Sequence, residues 1–180
     1  MGRNGKVVVE ELKEFRNELH KSLSGKQLEL FIESCAKELA ARLLAKVIKR
    51  TPVGDYSKEI TVVAQKDSKK HKKGETYTKK INPNGKVGGT LRRGWTGGQK
   101  QAANAFAGNL KVHQYGGVYV IEVENPVEYA SYVEFGHRKR GGKGWVEGKF
   151  MLTISEEEIQ RDAPRVLENK LKKKLGECFQ

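Results

Sequence analysis

Residues 118–136 read VYVIEVENPVEYASYVEFG. Tyr119, Ile121 and Val123 alternate with Val120, Glu122 and Glu124, so one face is apolar and the other mostly polar. That period of two predicts a strand covered on one side, as in an antiparallel sheet. Asn125-Pro126 ends it, since proline has no amide to continue the ladder. Glu128 to Phe135 then predicts a short aromatic helix, with Gly136 placed to terminate it. Upstream, Asn109 to Gln114 reads as the partner strand, and Tyr115-Gly116-Gly117 as the turn of a hairpin.

The apolar face of such a sheet needs a cover. Leu28, Ile32, Cys35, Leu39, Leu43 and Val47 recur at steps of three and four, which predicts a long helix from about Lys26 to Lys49. Ser24 with Gln27 forms a candidate capping box at its start. Thr51-Pro52 ends it, because a residue before proline avoids the helical region. Leu12, Phe15, Leu19 and Leu23 place a further helix face within Val9 to Leu23. The chain from about Glu147 onward also reads as helical. Ser155 with Glu158 is a second candidate capping box, and Asp162 a cap for a final helix with Pro164 in its first turn. Glu156 to Glu158 come early and Lys170, Lys172, Lys173 and Lys174 late, which suits the helix dipole. The expected fold class is α+β: a long N-terminal helix on a small antiparallel sheet, a short aromatic helix, a C-terminal helix, and basic extended arms.

The 180 residues are enough for one domain with a core, so residues 1–180 are read as a single domain. Hydrophobic residues make up 37% and charged residues 32%, with a formal net charge of +13, which favours a polyanionic partner. No apolar run is long enough for a membrane span. The opening MGRNGKVVVEELKEF turns acidic too soon for a secretory signal. Cys35 and Cys178 give neither a disulfide framework nor a metal site, so a reducing, intracellular origin is expected.

Two basic segments interrupt the body. Glu59 to Ala64 is β-branched and strand-like, and Thr76 to Ile81 reads as a second strand, together a loose hairpin arm. The span 65–89 holds Lys66, Lys69, Lys70, Lys72, Lys73, Lys79, Lys80 and Lys86, opposed by Asp67 and Glu75. The second segment, residues 137–148, is a loop of Arg, Lys and Gly with one Trp. Neither composition supports a core, so both are expected to stay mobile until a partner orders them.

Chemistry has little to work with. His20, His71, His113 and His137 lie at no metal-ligand spacing, and no phosphate-binding or nucleophile motif is present. One nuclease-like constellation can be drawn from Asp55, Glu134 and His137 beside the basic arms. Glu134 reads better as the ion-pair partner of Arg92 or Arg93. The expectation is no enzyme, no cofactor and no metal. The alternative function carried forward is non-specific nucleic-acid binding or a nuclease, through phosphate contacts without sequence readout.

The strings Thr51-Pro52-Val53-Gly54-Asp55, Gly89-Thr90-Leu91-Arg92-Arg93-Gly94 and 125–136 (NPVEYASYVEFG), in that order between two helices, resemble the tailed-bacteriophage neck and tail-component family of the head–tail joining module. The resemblance spans about residues 10 to 175. In many members the Pro-Val turn runs almost directly into Gly-x-Leu-Arg, whereas here residues 56–88 intervene. Many also carry Thr where this chain has His137. The resemblance implies a structural protein of the virion, at the head–tail junction or tail, made in the host cytoplasm. It implies assembly as a homo-oligomeric ring with other head-closure and tail proteins, with non-specific contact to packaged DNA. The residues assigned to subunit or DNA contact are Arg92, Arg93, Tyr129, Tyr132, Glu134, His137, Arg138, Lys139, Arg140 and Trp145. Lys69, Lys70, Lys72, Lys73, Lys79 and Lys80 form the basic arm.

Overall fold

A computed structural model describes residues 4–8 and 25–178, with side chains from 25 to 176. The amphipathic stretch Val9 to Leu23, the Ser24 cap and the Cys178 thiol lie outside the described residues. The chain divides into two compact units, Met1–Pro52 with Leu91–Gln180, and Val53–Thr90.

The first unit is built on helix α1, Gly25–Arg50. All six residues of the expected stripe are buried, and so are Phe31, Ala36, Ala40 and Leu44. The buried face is therefore wider than one stripe, because three elements cover it. A sheet lies on one part, helix α3 (Ala103–Asn109) on another, and the C-terminal helix α5 (Met151–Cys178) on a third. Tyr119, Ile121 and Val123, the alternating residues of strand β5 (Val118–Glu124), join the same core.

That sheet has three strands in the order β1-β5-β4, where β1 is Asn4–Val8 and β4 is His113–Tyr115. Both pairings are antiparallel, Val8 facing Val120 on one side and Tyr115 facing Val118 on the other. The Gly116-Gly117 turn is where the sequence placed it, both glycines having positive φ. Two expectations need correction. Strand β1 was not foreseen. Residues 109–112 are not strand: Asn109 closes α3, an alanine-rich turn whose Ala107 is fully buried in the core. Leu110 and Val112 pack against that core from the connecting segment.

Helix α5 also departs from expectation, running through Pro164 without a break. Pro164 is exposed, so its ring and missing amide face solvent. Ala163, Val166 and Leu167 beside it are buried in the core. Their burial offsets the cost of an interior proline, about 3 kcal/mol. Ser155, Glu158 and Asp162 are consequently not caps. The Ser155 hydroxyl donates to the Met151 carbonyl at 2.6 Å and accepts from Arg50 at 2.9 Å. Glu158 accepts from Lys46 at 2.8 Å and from Arg50, and Asp162 from Lys46 at 3.2 Å. The acids thus join α5 to the basic end of α1.

The second unit is an antiparallel hairpin of β2 (Lys58–Val63) and β3 (Thr76–Ile81), with Thr61 opposite Thr78. Ile60, Val62, Tyr77 and Ile81 share its partly buried face. The intervening segment is tied by hydrogen bonds of its own. Gly74 donates to the Ala64 carbonyl and Ala64 to that of Glu75, both at 2.9 Å, closing the turn.

Lys46 first, then Arg50, hold the Glu158 carboxyl below its ordinary value of 4.5. A depressed carboxylate stabilises the fold fully above its unfolded pKa and loses that contribution as pH falls through its folded pKa. Glu158→Gln is therefore expected to lower the melting temperature at pH 7. The difference from wild type should shrink once pH drops below 4.5, as thermal melts across an acid series would show.

A candidate assembly surface

Parts of the three strings singled out in the sequence, Thr51, Leu91 to Gly94 and residues 125–136, meet in the first unit. Thr51 closes α1: its hydroxyl donates to the Val47 carbonyl at 2.6 Å and accepts the Trp95 indole N–H at 2.8 Å. The Thr51 carbonyl takes two hydrogen bonds from Arg92, at 3.2 and 2.7 Å. Arg92 belongs to helix α2 (Thr90–Gly94), so this fork fixes that helix to the end of α1. Buried Asn125 donates to the Leu91 carbonyl at 2.8 Å and accepts the Val127 amide at 3.2 Å. A side chain at Gly94 would collide with the Asn125 amide, which explains the glycine after Arg92-Arg93. Trp95, Asn125, Ala130, Glu134 and Leu152 line one small void at the centre of this junction.

Glu134 completes it. The residue is buried on helix α4, Ala130–Phe135. Its two carboxylate oxygens accept the amides of Leu152 at 3.0 Å and Thr153 at 2.9 Å, and the Thr153 hydroxyl at 2.8 Å. These are orphan donors at the start of α5, where a negative charge is also favoured by the helix dipole. The main chain adds to the join, Lys149 donating to the Val133 carbonyl at 2.8 Å and Phe150 to that of Glu134 at 3.0 Å. Phe150 adopts φ 45° at this corner. Gly148 must lack a side chain because the backbone of residues 134–136 occupies that space.

Between these clamped ends the chain leaves and returns as a small hairpin. Strand β6, Gly136–Arg138, pairs antiparallel with β7, Trp145–Glu147, so that Arg138 faces Trp145 and His137 faces Val146. The segment expected as a loop thus has strands at its root and glycines at its tip. Gly136 ends α4 as anticipated, with φ 84°, but its ψ of 174° is extended, not left-handed helical. That conformation feeds the chain directly into β6.

The hairpin and the segment of α4 carry large exposed aromatic side chains. Tyr132 is 59% exposed, Trp145 51%, Phe135 46% and Tyr129 45%. A groove runs between Tyr129, Tyr132, Val133, His137 and Arg138. The His137 ring meets Tyr132 edge-on at 5.8 Å, and among the described residues its Nδ1 has no partner. Arg138, Lys139 and Arg140 are exposed around it. Aromatic side chains held on rigid elements and rimmed by charge are typical of protein contact surfaces.

The expected contact residues therefore separate. Tyr129, Tyr132, His137 and Arg138 line this groove, with Lys139 and Arg140 toward the hairpin tip, while exposed Trp145 stands on β7 opposite Arg138. Arg92 and Glu134 face inward and hold the junction, and Arg93 is half-buried beside Arg92. Glu134 serves as a helix cap, a role the sequence could signal only through the start of a helix 17 residues later. Asp55, in the second unit, accepts the Ser57 amide at 2.9 Å. Among the described residues no group of three or more His, Cys, Asp or Glu is placed to hold a metal, and no helix is long and apolar enough to cross a membrane.

A family model described as "Bacteriophage HK97-gp10, putative tail-component" matches residues 13–88 and 74–136. The matched segments overlap inside the lysine-rich arm and stop at Gly136, so the β6–β7 hairpin and α5 lie beyond them. No curated protein and no solved structure matches.

Removing the Glu134 carboxylate takes its acceptor from the buried Leu152 amide and removes the bonds to the part-buried Thr153 amide and hydroxyl. Hydrogen bonds to a charged group contribute about 1.5–3 kcal/mol. Glu134→Ala should thus destabilise the protein by roughly 2 kcal/mol or more in denaturant unfolding, and Thr153→Val by less.

Proposed function

The chain belongs to the HK97-gp10-like family of bacteriophage tail components, and from that premise we propose that it is a neck or tail-completion subunit that joins its neighbours through the aromatic surface of α4 and the β6–β7 hairpin. Family membership makes it a structural component of the virion. The observation that carries the finer reading is the exposure of Tyr129, Tyr132 and Phe135 on or just before α4 and of Trp145 on β7, beside a helix whose end is clamped by Glu134. A surface fixed in advance loses little conformational freedom on binding, which favours affinity.

Ring assembly is part of the proposal. One patch meeting a different patch on the next copy generates a rotation that closes a ring. Subunits with a net charge of +13 repel one another at low salt, and screening relieves this. The free protein is then monomeric, and rings form on a portal or tail template.

The test mixes purified protein with head and tail intermediates of its own phage. Trp145→Ala alone, and Tyr132→Ser with Trp145→Ala, should leave the melting temperature near wild type, because both side chains are exposed. Joining of heads to tails should fall by about tenfold or more, since buried interface aromatics commonly contribute 2 kcal/mol or more. Joining at the wild-type rate would show that the surface is only solvated.

A further inference from the structure

The β2–β3 hairpin carries a second feature, separate from the aromatic surface and independent of any position in a tail. We propose that its turn, residues 64–75, is a preformed site for the phosphate backbone of duplex DNA. This turn holds Lys66, Lys69, Lys70, Lys72 and Lys73 against Asp67 and Glu75.

Both acids are committed to building the turn. Asp67 accepts the Lys73 amide at 2.8 Å. One oxygen of Glu75 accepts the Lys72 amide at 2.9 Å, and the other meets His71 Nδ1 at 3.2 Å. The Ser68 hydroxyl accepts the amides of Lys70 at 3.3 Å and His71 at 3.1 Å. The His71 ring stacks on Tyr77, with centroids 4.0 Å apart and planes 9° apart. The backbone amides of three successive residues, Lys70 to Lys72, and of Lys73 are thereby satisfied internally. Their ammonium groups are left outside: among the described residues, none of the five turn lysines has a carboxylate within ion-pair distance.

The chemistry of the turn favours one polyanion. Residues 53–90 contain nine lysines and no arginine, so nothing offers the planar fork that suits paired carboxylates on a protein. From 65 to 76 the only ring is His71, already stacked, so the turn has no exposed aromatic or aliphatic anchor for a protein pocket or an unstacked base. What remains is point charge on a fixed frame. Its return is greatest on a partner that releases condensed counterions, and duplex DNA carries one charge per about 1.7 Å.

The test measures binding of the full chain to a labelled 30-base-pair duplex of arbitrary sequence (about three helical turns) by fluorescence anisotropy over a salt series. Each neutralised phosphate contributes about 0.9 to the slope of log affinity against log salt. Replacing Lys69, Lys70, Lys72 and Lys73 by Gln should reduce that slope by up to about 3.6 and weaken binding at least tenfold at low salt. The control removes the same charge elsewhere, by replacing Arg138, Lys139, Arg140 and Lys143 with Gln, and should have a clearly smaller effect. On the unmodified protein, duplex DNA should protect the four turn lysines from acetylation more than Lys143. Equal loss of slope in both variants would mean net charge alone is responsible and would overturn the site. So would unchanged acetylation of the turn, or displacement of the duplex by poly-L-glutamate at equal charge concentration, which would assign the turn to acidic protein.

Discussion

The first unit depends on a carboxylate in an apolar setting. Glu134 is 3% exposed, and an ionised side chain so placed is costly unless its lone pairs are filled. The start of α5 supplies what it needs: two unused amides, a hydroxyl and the positive end of a helix. Each group solves the other's problem, so neither the aromatic helix nor the C-terminal helix can shift alone. Helix α5 is held along its length by Ile159, Ala163, Val166 and Leu167 against the core, and by the Lys46 and Arg50 ion pairs. Through Glu134 that rigidity reaches the base of the β6–β7 hairpin.

This arrangement gives physical content to short strings that otherwise look like signatures. Thr51 is needed for its hydroxyl, which receives Trp95, and its carbonyl, which receives Arg92. Asn125 bridges Leu91 and Val127, and Gly94 makes room for it. Glu134 caps a helix that begins beyond the last string. Glu134, which would suit a catalytic site by type, is thus occupied in joining parts of the chain. The aromatic side chains on the outside of the same helix stay exposed.

The sequence revealed elements with a clean period. The stripe Leu28 to Val47, the alternation Tyr119 to Val123 and the second arm strand Thr76 to Ile81 are all present. It was less informative where tertiary contacts override local preference. Pro164 reads as a helix boundary, yet it sits on the solvent side of a helix whose other face is buried. Ser155 and Glu158 have the spacing of a capping box, but Arg50 and Lys46, more than a hundred residues away, claim them. The role of Glu134 was hidden for the same reason: its ligands are backbone amides, which carry no residue identity. In the lysine-rich turn, Asp67 and Glu75 counted as opposing charges, whereas their geometry makes them its scaffold.

Amide hydrogen exchange at Leu152 and Thr153 tests the central claim most directly. First-turn amides of a helix have no intrahelical acceptor and ordinarily exchange quickly. If Glu134 clamps α5 to the aromatic helix, these two amides should exchange as slowly as those in the middle of α1, through global opening only. Rapid exchange at both, with the α1 amides protected, would contradict the clamp and the rigid presentation of the aromatic surface that follows from it.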